Sequence, residues 1–539
     1  MKTIGEFDYV VVGAGAAGCV LANRLSARGK YTVCLIEAGP PDKNPFIHIP
    51  GGFIKLAHDT TYTWQFKTEP SDGTAGRAIP TTQGKTLGGS SSINGFNYTR
   101  GQPADYDDWA ALGNEGWGYS DVLPYFKRTE KRIGPSDPEY RGTDGLLPIT
   151  DCPWRHILCD AFIDSAHQIG VPKTEDYNAA EQEGAGYYQR WISGRFRKSA
   201  AQTFLKDAKG RKNLTVLTEI QVTKVILDGD VVTGIQGLIG EKSEQVKVKA
   251  RKEVVLSAGA ANTPKLLMLS GIGPSDHLKE VGIPVNKDIP GVGENLQDHH
   301  MIRYVCRVKG ARTLNEIARG SSLLREIFRW VIGKPSILAI SPSVCYAFWK
   351  SNPDLERVDL QFHFSPGSYK EGVAGLLDDF PGMTLGFYNL RPKSVGKLRL
   401  RSHDPKDHPI IQPNYMAHKD DQKVILDALR LVRRMFNTAP LSNFVEAEQY
   451  PPASATSDDD LLDFARKRGG TAWHLVSTCR MGPESDPLAV VDNQLRVRGV
   501  ANLRIADASV MPTMPSGNTQ IPTMMIAEKA SDLILGDAA

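Results

Sequence analysis

His474 is the residue whose chemical role the sequence leaves most open. It stands alone in "GGTAWHLVSTCRMGP" (469–483), which lacks both the alternation of a surface strand and the caps of a helix. A neutral imidazole, with an ordinary pKa near ~6.5, accepts protons at about pH 7–8, but histidine also packs in cores and binds metals. From this stretch alone, packing, metal binding and proton transfer all stay open.

His299 and His300 are the other candidate metal ligands. Adjacent residues on a strand point to opposite faces, and no H-E-x-x-H motif accompanies them. The seven cysteines are scattered without a C-x-x-C pair, which argues for reduced thiols and against a disulfide framework or a zinc knuckle. We therefore interpret both histidines as structural and expect no metal.

Three glycines near the start of the chain, Gly13, Gly15 and Gly18, form a G-x-G-x-x-G motif between a strand and a helix. The first permits a tight turn, the second lets backbone approach a pyrophosphate, and the third allows close helix–strand packing. Glu37 closes the second strand, about 20 residues on, where a carboxylate can accept a ribose hydroxyl. This context favours a dinucleotide site over a structural glycine turn, but does not separate NAD from FAD.

Two more stretches carry chemistry. Residues 84–107, "GKTLGGSSSINGFNYTRGQPADYD", form a backbone-rich loop able to offer N–H groups to a planar or phosphorylated ligand, with an ordinary glycine-rich turn as the alternative. Residues 256–274, "LSAGAANTPKLLMLSGIGP", predict a strand that runs into a helix. Taken alone, the second stretch fits plain βα structure.

The elements that position these residues fall into two groups. "YVVV" (9–12), a helix from about 14 to 28 and "TVCLIEAG" (32–39) indicate a β-α-β unit in a parallel sheet covered on both faces. Residues 358–367 and 383–402 alternate apolar and polar side chains, which predicts an antiparallel sheet with one open face where a substrate can lie. Residues 458–469 predict a helix that leads directly to His474.

Length and composition bound the class of protein. At 539 residues the chain exceeds the roughly 250–300 residues of one hydrophobic core, and without a linker between halves we expect two interleaved domains. A formal net charge of +3 gives no electrostatic reason to bind nucleic acid. With no signal-peptide core and no apolar stretch of about 18 residues, we expect a cytoplasmic protein without a transmembrane segment, which leaves peripheral membrane contact open.

Together these motifs resemble the glucose–methanol–choline (GMC) family of FAD-dependent oxidoreductases. Residues 84–107 and 256–274 match its two signatures without a break. Further matches are "PGVGENLQDH" (290–299), "HLVSTCRMG" (474–482) and "LRIADASVMPTMPSGNTQIPTMMIAEKASDLI" (503–534), so the resemblance covers essentially the whole chain. Within the family, the chain looks most like bacterial alcohol and L-sorbose dehydrogenases.

The resemblance implies an α/β fold, α+β overall, with a Rossmann-type FAD-binding domain and a substrate-binding domain whose large antiparallel sheet is covered by helices. The FAD-binding domain is expected to be discontinuous, comprising residues 1–40, 80–110, 200–300 and 465–539. Residues 41–79, 111–199 and 301–464 are expected to form the substrate-binding or cap domain. The flavin would lie between the two, as cofactors tend to at domain junctions.

The resemblance also implies which residues hold FAD. The adenosine ribose is expected at Glu37, adenine at the backbone of Val222, the diphosphate near Asp507, and the flavin along residues 88–97. The full expected set is Gly13, Gly15, Ala16, Ala17, Gly18, Glu37, Ala38, Gly84, Lys85, Leu87, Gly88, Gly89, Ser90, Asn94, Gly95, Asn97, Val222, Ala258, Asp507, Ala508, Thr519, Gln520 and Pro522. Ile93 stands where some members link the flavin covalently through a histidine, and isoleucine cannot form that bond. We therefore predict non-covalent FAD.

The family's catalytic pair, a histidine followed some tens of residues later by a histidine or asparagine, matches His474 and Asn518. His474 is expected to accept the hydroxyl proton of an alcohol while hydride moves to the flavin N5. The amide of Asn518 can hydrogen-bond the same oxygen without competing for the proton. Alone, Asn518 is an ordinary turn residue of "PSGNTQIP", and only the pairing with His474 overturns that interpretation.

The predicted reaction is oxidation of a small-molecule alcohol, namely a primary alcohol, a polyol or a sugar such as sorbose, to the carbonyl. Oxygen or a quinone-type acceptor would reoxidise the flavin, so an oxygen-using oxidase stays open beside a dehydrogenase. A hydroxynitrile lyase of the same fold, which binds FAD without redox turnover, is the alternative from another class of enzyme. A flavoprotein that serves as a binding or assembly module is a further alternative.

Four other side chains are weighed as parts of the cavity. Gln361 and His363 share the polar face of "DLQFHFS", where the pattern favours a solvated strand face over a cavity wall. Trp64 and Trp473 are expected to be packing residues, with a place in the cavity wall as the alternative for Trp473.

Overall fold

The computed structural model describes residues 2–240, 242–370 and 375–537. The α-helices in it are α1 (Ala16–Ser26), α2 (Pro45–His48), α3 (Phe53–Leu56), α4 (Pro103–Ala111), α5 (Tyr119–Thr129), α6 (Ile157–Gln168), α7 (Gly259–Leu269), α8 (Ser275–Glu280), α9 (Leu314–Ile317), α10 (Gly320–Val331), α11 (Lys419–Phe436), α12 (Asp458–Arg468) and α13 (Gln520–Asp537). Shorter 3₁₀ turns and one π-helical turn, Ala201–Leu205, connect them.

The strands are β1 (Lys2–Val12), β2 (Val33–Ile36), β3 (Thr63–Lys67), β4 (Pro80–Gly84), β5 (Glu130–Ile133), β6 (Leu147–Thr150), β7 (Gly184–Tyr187), β8 (Ile192–Ser193), β9 (Phe196–Arg197), β10 (Leu214–Leu217), β11 (Ile220–Asp228), β12 (Val231–Ile239), β13 (Glu244–Leu256), β14 (Ile272–Gly273), β15 (Lys287–Asp288), β16 (His300–Val308), β17 (Cys345–Trp349), β18 (Leu360–Ser365), β19 (Gly382–Asn389), β20 (Lys397–Arg399), β21 (Ile410–Gln412), β22 (Val445–Tyr450), β23 (Gly470–Thr471) and β24 (Leu503–Ile505). Two large sheets account for the architecture. The predicted mixed α/β fold is confirmed.

The first large sheet is mostly parallel. Strands β10, β2, β1 and β13 lie side by side in that order, and β24 continues the parallel set beside the end of β13. β12 and β11 complete this sheet as an antiparallel hairpin. Because parallel strands end at one edge, the loops after Val12, Ile36, Leu256 and Ile505 meet there, as in other nucleotide-binding sheets.

The second large sheet is antiparallel throughout. Its order is β22, β16, β19, β18, β17 and β7, with β23 paired to the start of β16. One face, which includes Ile302, Phe362 and Phe387, packs into a hydrophobic core with side chains of α6, α11 and α12. The predicted helix before His474 is confirmed as α12.

The face of this sheet that was predicted to be open to a substrate looks onto a cavity and not onto bulk solvent. All six residues of β18 are buried, and the face opposite the helices forms the wall of an internal cavity. Alternation of apolar and polar residues indicates which side chains point away from the hydrophobic core. It does not indicate whether those side chains face bulk solvent or a cavity. No helix among the described residues is long and apolar enough to cross a membrane.

Candidate active site

A cavity of about 780 Å³ extends from the parallel sheet to the antiparallel sheet. Val12, Ile36 and Ser257 line it at the carboxyl edge of the parallel strands. His363 and Thr384 line it from the antiparallel sheet. A cavity bounded by both sheets has room for a large planar cofactor and a second ligand beside it.

Three of the longer helices begin at this cavity. The first residues of α1, α7 and α13, which are Ala16, Gly259 and Gln520, all lie in its wall. The free N–H groups and the positive dipole end of a helix attract phosphate, so this end of the cavity suits a pyrophosphate. The second sequence motif is therefore more than plain βα structure, because it delivers the N-terminus of α7 to the site.

At each glycine of the first motif, a side chain would enter the cavity, clash with the backbone or strain the chain. A β-carbon on Gly15 would meet nothing within 4 Å and would project into the open cavity, whereas one on Gly18 would lie 1.8 Å from the carbonyl oxygen of Gly13. Gly13 itself has φ +98°, in the left-handed region that glycine tolerates. The motif thus provides a bare backbone surface beside the cavity and close helix–strand packing behind it, which fits the diphosphate of FAD.

Most residues predicted to hold FAD line this cavity. They are Gly13, Gly15, Ala16, Ala17, Glu37, Ala38, Gly84, Gly89, Ser90, Asn94, Gly95, Asn97, Val222, Ala258, Asp507, Ala508, Thr519 and Gln520. Five others, Gly18, Lys85, Leu87, Gly88 and Pro522, do not contribute to its wall. Gly88, for example, lies behind the wall with φ +88° and donates its N–H to Ala14 O at 2.8 Å.

Two polar groups in the wall bear directly on a nucleotide ligand. The Glu37 carboxylate accepts the backbone N–H groups of Ala14 and Gly39, both at 2.9 Å, and burial raises its pKa to about 7. Asn97 Oδ1 is buried and has no hydrogen-bond partner within the described residues. Buried polar atoms are rarely left unpaired, so an orphaned oxygen in the wall fits a polar ligand such as FAD.

His474 is held by the chain on both sides of it. Its backbone N–H donates to Asp298 Oδ1 at 2.8 Å, and the same carboxylate accepts the hydroxyls of Tyr415 and Thr471. Trp473, immediately before it, has φ +63° and donates its N–H to Thr471 Oγ1 at 2.7 Å. A non-glycine residue in this conformation is costly and persists only where its surroundings fix it, so the direction of the imidazole is set by the fold.

The hydrogen bonds fix the tautomer of His474. His299 Nε2 lies 3.0 Å from Leu390 O, and a carbonyl only accepts, so His299 carries its proton on Nε2. The neutral His299 Nδ1 is therefore an acceptor, and His474 Nδ1, at 2.9 Å, must donate to it. His474 Nε2 is left with its lone pair directed at the cavity, where Asn518 Nδ2 lies 3.2 Å away.

Asn518 is oriented by donors on its other side. Its Oδ1 accepts from Thr99 Oγ1 at 3.1 Å and from Gln361 Nε2 at 3.3 Å, which turns its NH₂ group toward His474. Gln361 is itself held by Tyr388, whose hydroxyl donates to Gln361 Oε1 at 2.6 Å. Because both donors act on the oxygen, the amide orientation follows from the network.

Burial dominates the electrostatics of this cluster. It lowers the pKa of His299 and of His363 to about 3, and it lowers the pKa of His474 well below the ordinary value, with a smaller effect from the two neighbouring imidazoles. His474 is partly accessible from the cavity yet enclosed by protein. At neutral pH all three imidazoles are therefore neutral, and His474 is a free base.

One sequence interpretation needs correction, and a second residue gains a specific contact. Gln361 and His363 are buried, with Gln361 bonded to Asn518 and His363 in the cavity wall, so the solvated strand face was wrong. His299, interpreted as structural, lies within hydrogen-bond distance of His474. A histidine 175 positions from its partner gives no local signal. The pairing of β16 with β23, together with the bridge between Gln297 and Val476, brings the two segments together.

The remaining candidates have defined positions, and Trp64, expected to be a packing residue, also lines the cavity. His300 packs against Tyr415 at 4.6 Å between ring centroids, pointing away from His299. Trp64 and Trp473 both lie in the cavity wall. Within residues 2–240, 242–370 and 375–537, no group of three or more His, Cys, Asp or Glu side chains is arranged to hold a metal ion.

Family models identify the chain over most of its length. The N-terminal and C-terminal models of the GMC oxidoreductases match residues 7–301 and 392–527. An alcohol dehydrogenase [acceptor] of Pseudomonas putida is 40% identical over 98% of this chain and 96% of its own length. An oxygen-dependent choline dehydrogenase of Photobacterium profundum is 39% identical over 98% of this chain and 93% of its own.

Solved structures agree with this assignment. Pyridoxine 4-oxidase from Mesorbium loti is 31% identical, with a TM-score of 0.86 over 97% of this chain and 98% of its own. The formate oxidase of Aspergillus oryzae, studied for modification of its FAD, is 26% identical, with a TM-score of 0.90 over 100% of this chain and 99% of its own. The chain is therefore a member of the GMC oxidoreductase family, an FAD-dependent enzyme that acts on CH–OH donors.

Proposed function

We propose that the enzyme oxidises an alcohol to the carbonyl with His474 as the general base. The observation that carries the proposal is the unprotonated Nε2 of His474, which faces the cavity 3.2 Å from the amide nitrogen of Asn518. One substrate oxygen can reach both atoms, donating its proton to Nε2 and accepting an N–H from Asn518. Primary alcohols, polyols and sugars such as sorbose are the candidate substrates, and the alcohol- and choline-dehydrogenase relatives support a CH–OH donor.

The residues of the chain handle the proton and the geometry. As the hydroxyl proton moves to Nε2, the bond from Nδ1–H to His299 becomes charge-assisted and stabilises the imidazolium. Asn518 holds the substrate oxygen as it becomes a carbonyl, so that its carbon-bound hydrogen keeps one orientation. Bound FAD supplies the acceptor for the hydride, at N5 of its ring.

We further propose that FAD binds without a covalent link. Ile93 lies in the cavity wall and carries an aliphatic side chain that cannot form a bond to the flavin. The FAD-binding domain would comprise residues 1–40, 80–110, 200–300 and 465–539. Oxygen or a quinone-type acceptor would reoxidise the reduced flavin.

Anaerobic reduction of the flavin tests the reaction. A panel of aliphatic alcohols, aromatic alcohols, sugars and polyols is mixed with the FAD-loaded enzyme, and loss of the visible flavin absorbance is followed by stopped flow. We expect bleaching by at least one alcohol, and a loss of several orders of magnitude in its rate in His474→Ala with FAD still bound. A flavin that stays yellow with every alcohol would point to a non-redox lyase, and near-normal bleaching in the variant would remove His474 from the chemistry.

The same reduced enzyme can be used to identify the electron acceptor that reoxidises the flavin. Rapid recovery of the yellow colour on admission of air identifies an oxidase. Slow recovery in air with fast recovery on addition of a soluble quinone identifies a dehydrogenase.

A further inference from the structure

A single arginine projects into the cavity from the antiparallel sheet. Arg303 lies on the cavity face of β16 between the apolar side chains of Met301 and Val305, and it is exposed to the cavity. Its Nη1 lies 3.8 Å from the position that a β-carbon on Gly470 would occupy, on the segment that leads to His474. With the described residues Arg303 forms neither a hydrogen bond nor an ion pair.

The register of the sheet places Arg303 on the catalytic side of the cavity. Arg303 on β16 lies opposite Gly386 on β19, which in turn lies opposite His363 on β18. Two strand spacings put Arg303 and His363 roughly 10 Å apart at their α-carbons, and Gly386 between them has no side chain to fill the gap. The charge of Arg303 lowers the pKa of His363, which in turn lowers that of His474.

Basic residues outnumber acidic residues in the wall of the cavity. Among the described residues in the wall, the acids are Glu37 and Asp507, and both carboxylates accept backbone N–H groups at the nucleotide end. The basic residues of the wall are Lys67, Arg77, Lys265, Arg303, Lys370 and Arg468. Of these, Arg77 and Lys265 donate to backbone carbonyls, and Lys370 pairs with Asp379. A cation in partly apolar surroundings without a partner lacks the compensation that enclosed charges normally have.

We propose that the alcohol oxidised here carries an anionic group, a carboxylate in the first instance, that pairs with Arg303 while its hydroxyl lies at His474. Guanidinium forms a two-pronged bond with a carboxylate and is the usual residue for such recognition. A cationic alcohol would meet like charge in the same place. Arg303 also lies in residues 302–391, which neither family model matches. The inference rests on the proposed function.

The test compares alcohols that differ only in charge. Flavin reduction is followed with a series of hydroxycarboxylates of increasing chain length, with their methyl esters, and with choline as the cationic alcohol. We expect the best hydroxycarboxylate to exceed its ester by at least about 30-fold in kcat/KM, the smallest effect usually seen when an enclosed charge pair is broken. Arg303→Met should remove that difference and leave reduction by the ester unchanged.

A charge reversal keeps the proposal falsifiable if Arg303→Met folds poorly. Arg303→Glu should lose the hydroxycarboxylate and gain activity on choline, a change of preference that an unfolded protein cannot show. Two results would refute the role of Arg303 in binding the anionic group and leave the proposed reaction intact. One is bleaching by the esters at the same rate as by the acids, and the other is activity on the acids that survives both substitutions. Failure of all alcohols to bleach the flavin would instead refute the proposed function.

A second, independent feature is the outer surface of α10. No residue of this 12-residue helix is buried, and its apolar stripe faces outward, with Leu324 68% and Phe328 63% exposed and Ile327 and Val331 beside them. The helix is nevertheless fixed to the protein, because Trp330 packs edge-on against Phe196 and its indole donates to Arg195 O at 3.1 Å. An anchored helix with its apolar stripe turned to solvent is the reverse of the usual arrangement.

The charges around the stripe identify the surface that it fits. Arg319, Arg325, Arg329 and Lys334 flank it. Arg319 pairs with Asp379, and Arg329 pairs with Glu326, the one acid of the helix, which also accepts the N–H of Ile337 at 3.0 Å. Arg325 and Lys334 have no acidic partner among the described residues. Apolar side chains between basic residues are typical of helices that lie in the interface of an anionic bilayer. We infer that α10 docks the enzyme on an anionic lipid surface.

Flotation with lipid vesicles tests the docking. The FAD-loaded enzyme should float with vesicles of 4:1 phosphatidylcholine and phosphatidylglycerol, much less with phosphatidylcholine alone, and less at high salt. The double variant Leu324→Ser/Phe328→Ser should lose flotation, while Leu112→Ser, at a residue 50% exposed outside α10, should keep it. Flotation unchanged in the double variant would overturn the inference. A lipid-free dimer that the double variant turns into monomers would also overturn it, and would assign the patch to a second copy.

Discussion

His299 is predicted to act as the acceptor that fixes the tautomer of His474, and three substitutions separate this role from packing. Asn places its side-chain oxygen where Nδ1 of the imidazole lies and can accept from His474 Nδ1–H. Gln places its amide nitrogen near the former Nε2 and keeps the bond to Leu390 O, but offers no acceptor to His474. Ala removes both bonds.

The magnitude follows from the change in one hydrogen bond during the reaction. A neutral hydrogen bond contributes about 1 kcal/mol, and one to a charged group about 1.5–3 kcal/mol. The bond from His474 to His299 strengthens by roughly 1–2 kcal/mol when the imidazole gains a proton, which corresponds to about a 5- to 30-fold change in rate. His299→Ala and His299→Gln should lose this factor in the rate constant for flavin reduction, and His299→Asn should largely retain it.

The assay is anaerobic stopped-flow reduction with the best alcohol of the panel, after FAD content and thermal unfolding of each variant have been compared. A structural role for His299 predicts the opposite order, because Gln is closer to histidine in size than Asn is. If His299→Gln reduced its flavin like the wild type while His299→Asn did not, the tautomer argument would be refuted.

Three further predictions follow from the same structure. Because the pKa of His474 is well below its ordinary value, the base stays neutral as pH falls through 6.5. The rate constant for flavin reduction should therefore remain level from pH 8 to 6.5 and decline only in more acidic buffer. A half-maximal rate near pH 6.5 or above would contradict this prediction. Gly15→Val should yield a folded protein without FAD, because the valine side chain enters the cavity. Gly18→Ala should lower the free energy of unfolding by about 1–3 kcal/mol, because its β-carbon clashes with Gly13 O. Measurements of FAD content and of unfolding by denaturant would distinguish the two effects. Acid precipitation should release all of the flavin into the supernatant, and yellow colour retained in the pellet would show a covalent link that Ile93 cannot supply.

Local patterns in the sequence were sufficient for the nucleotide end of the site. The G-x-G-x-x-G turn, its flanking strand and helix, and Glu37 are contiguous, and each has a backbone reason for its position that holds within about 40 residues. The predicted helix before His474 is likewise a local pattern with charged caps, and the structure has it at Asp458–Arg468. Such features depend on short-range geometry, which a sequence displays directly.

The antiparallel sheet shows where local patterns stop. The alternation in residues 358–367 gave the strand and its polar face, but the same alternation suits bulk water and an enclosed cavity. His299, Gln361 and Arg303 carry no motif of their own. Their roles appear only when β16, β18 and β19 are placed in register and turned toward the parallel sheet.

The sequence by itself determined the family and the mixed α/β class, and it predicted the glycine-rich turn and the pairing of His474 with Asn518. The tertiary structure decided which nitrogen of His474 is free, which residues hold Asn518, and which charge faces the substrate. The physical reason is that tautomers, pKa values and the partners of a charge depend on atoms a few ångströms away. In this chain those atoms come from segments up to 419 positions apart.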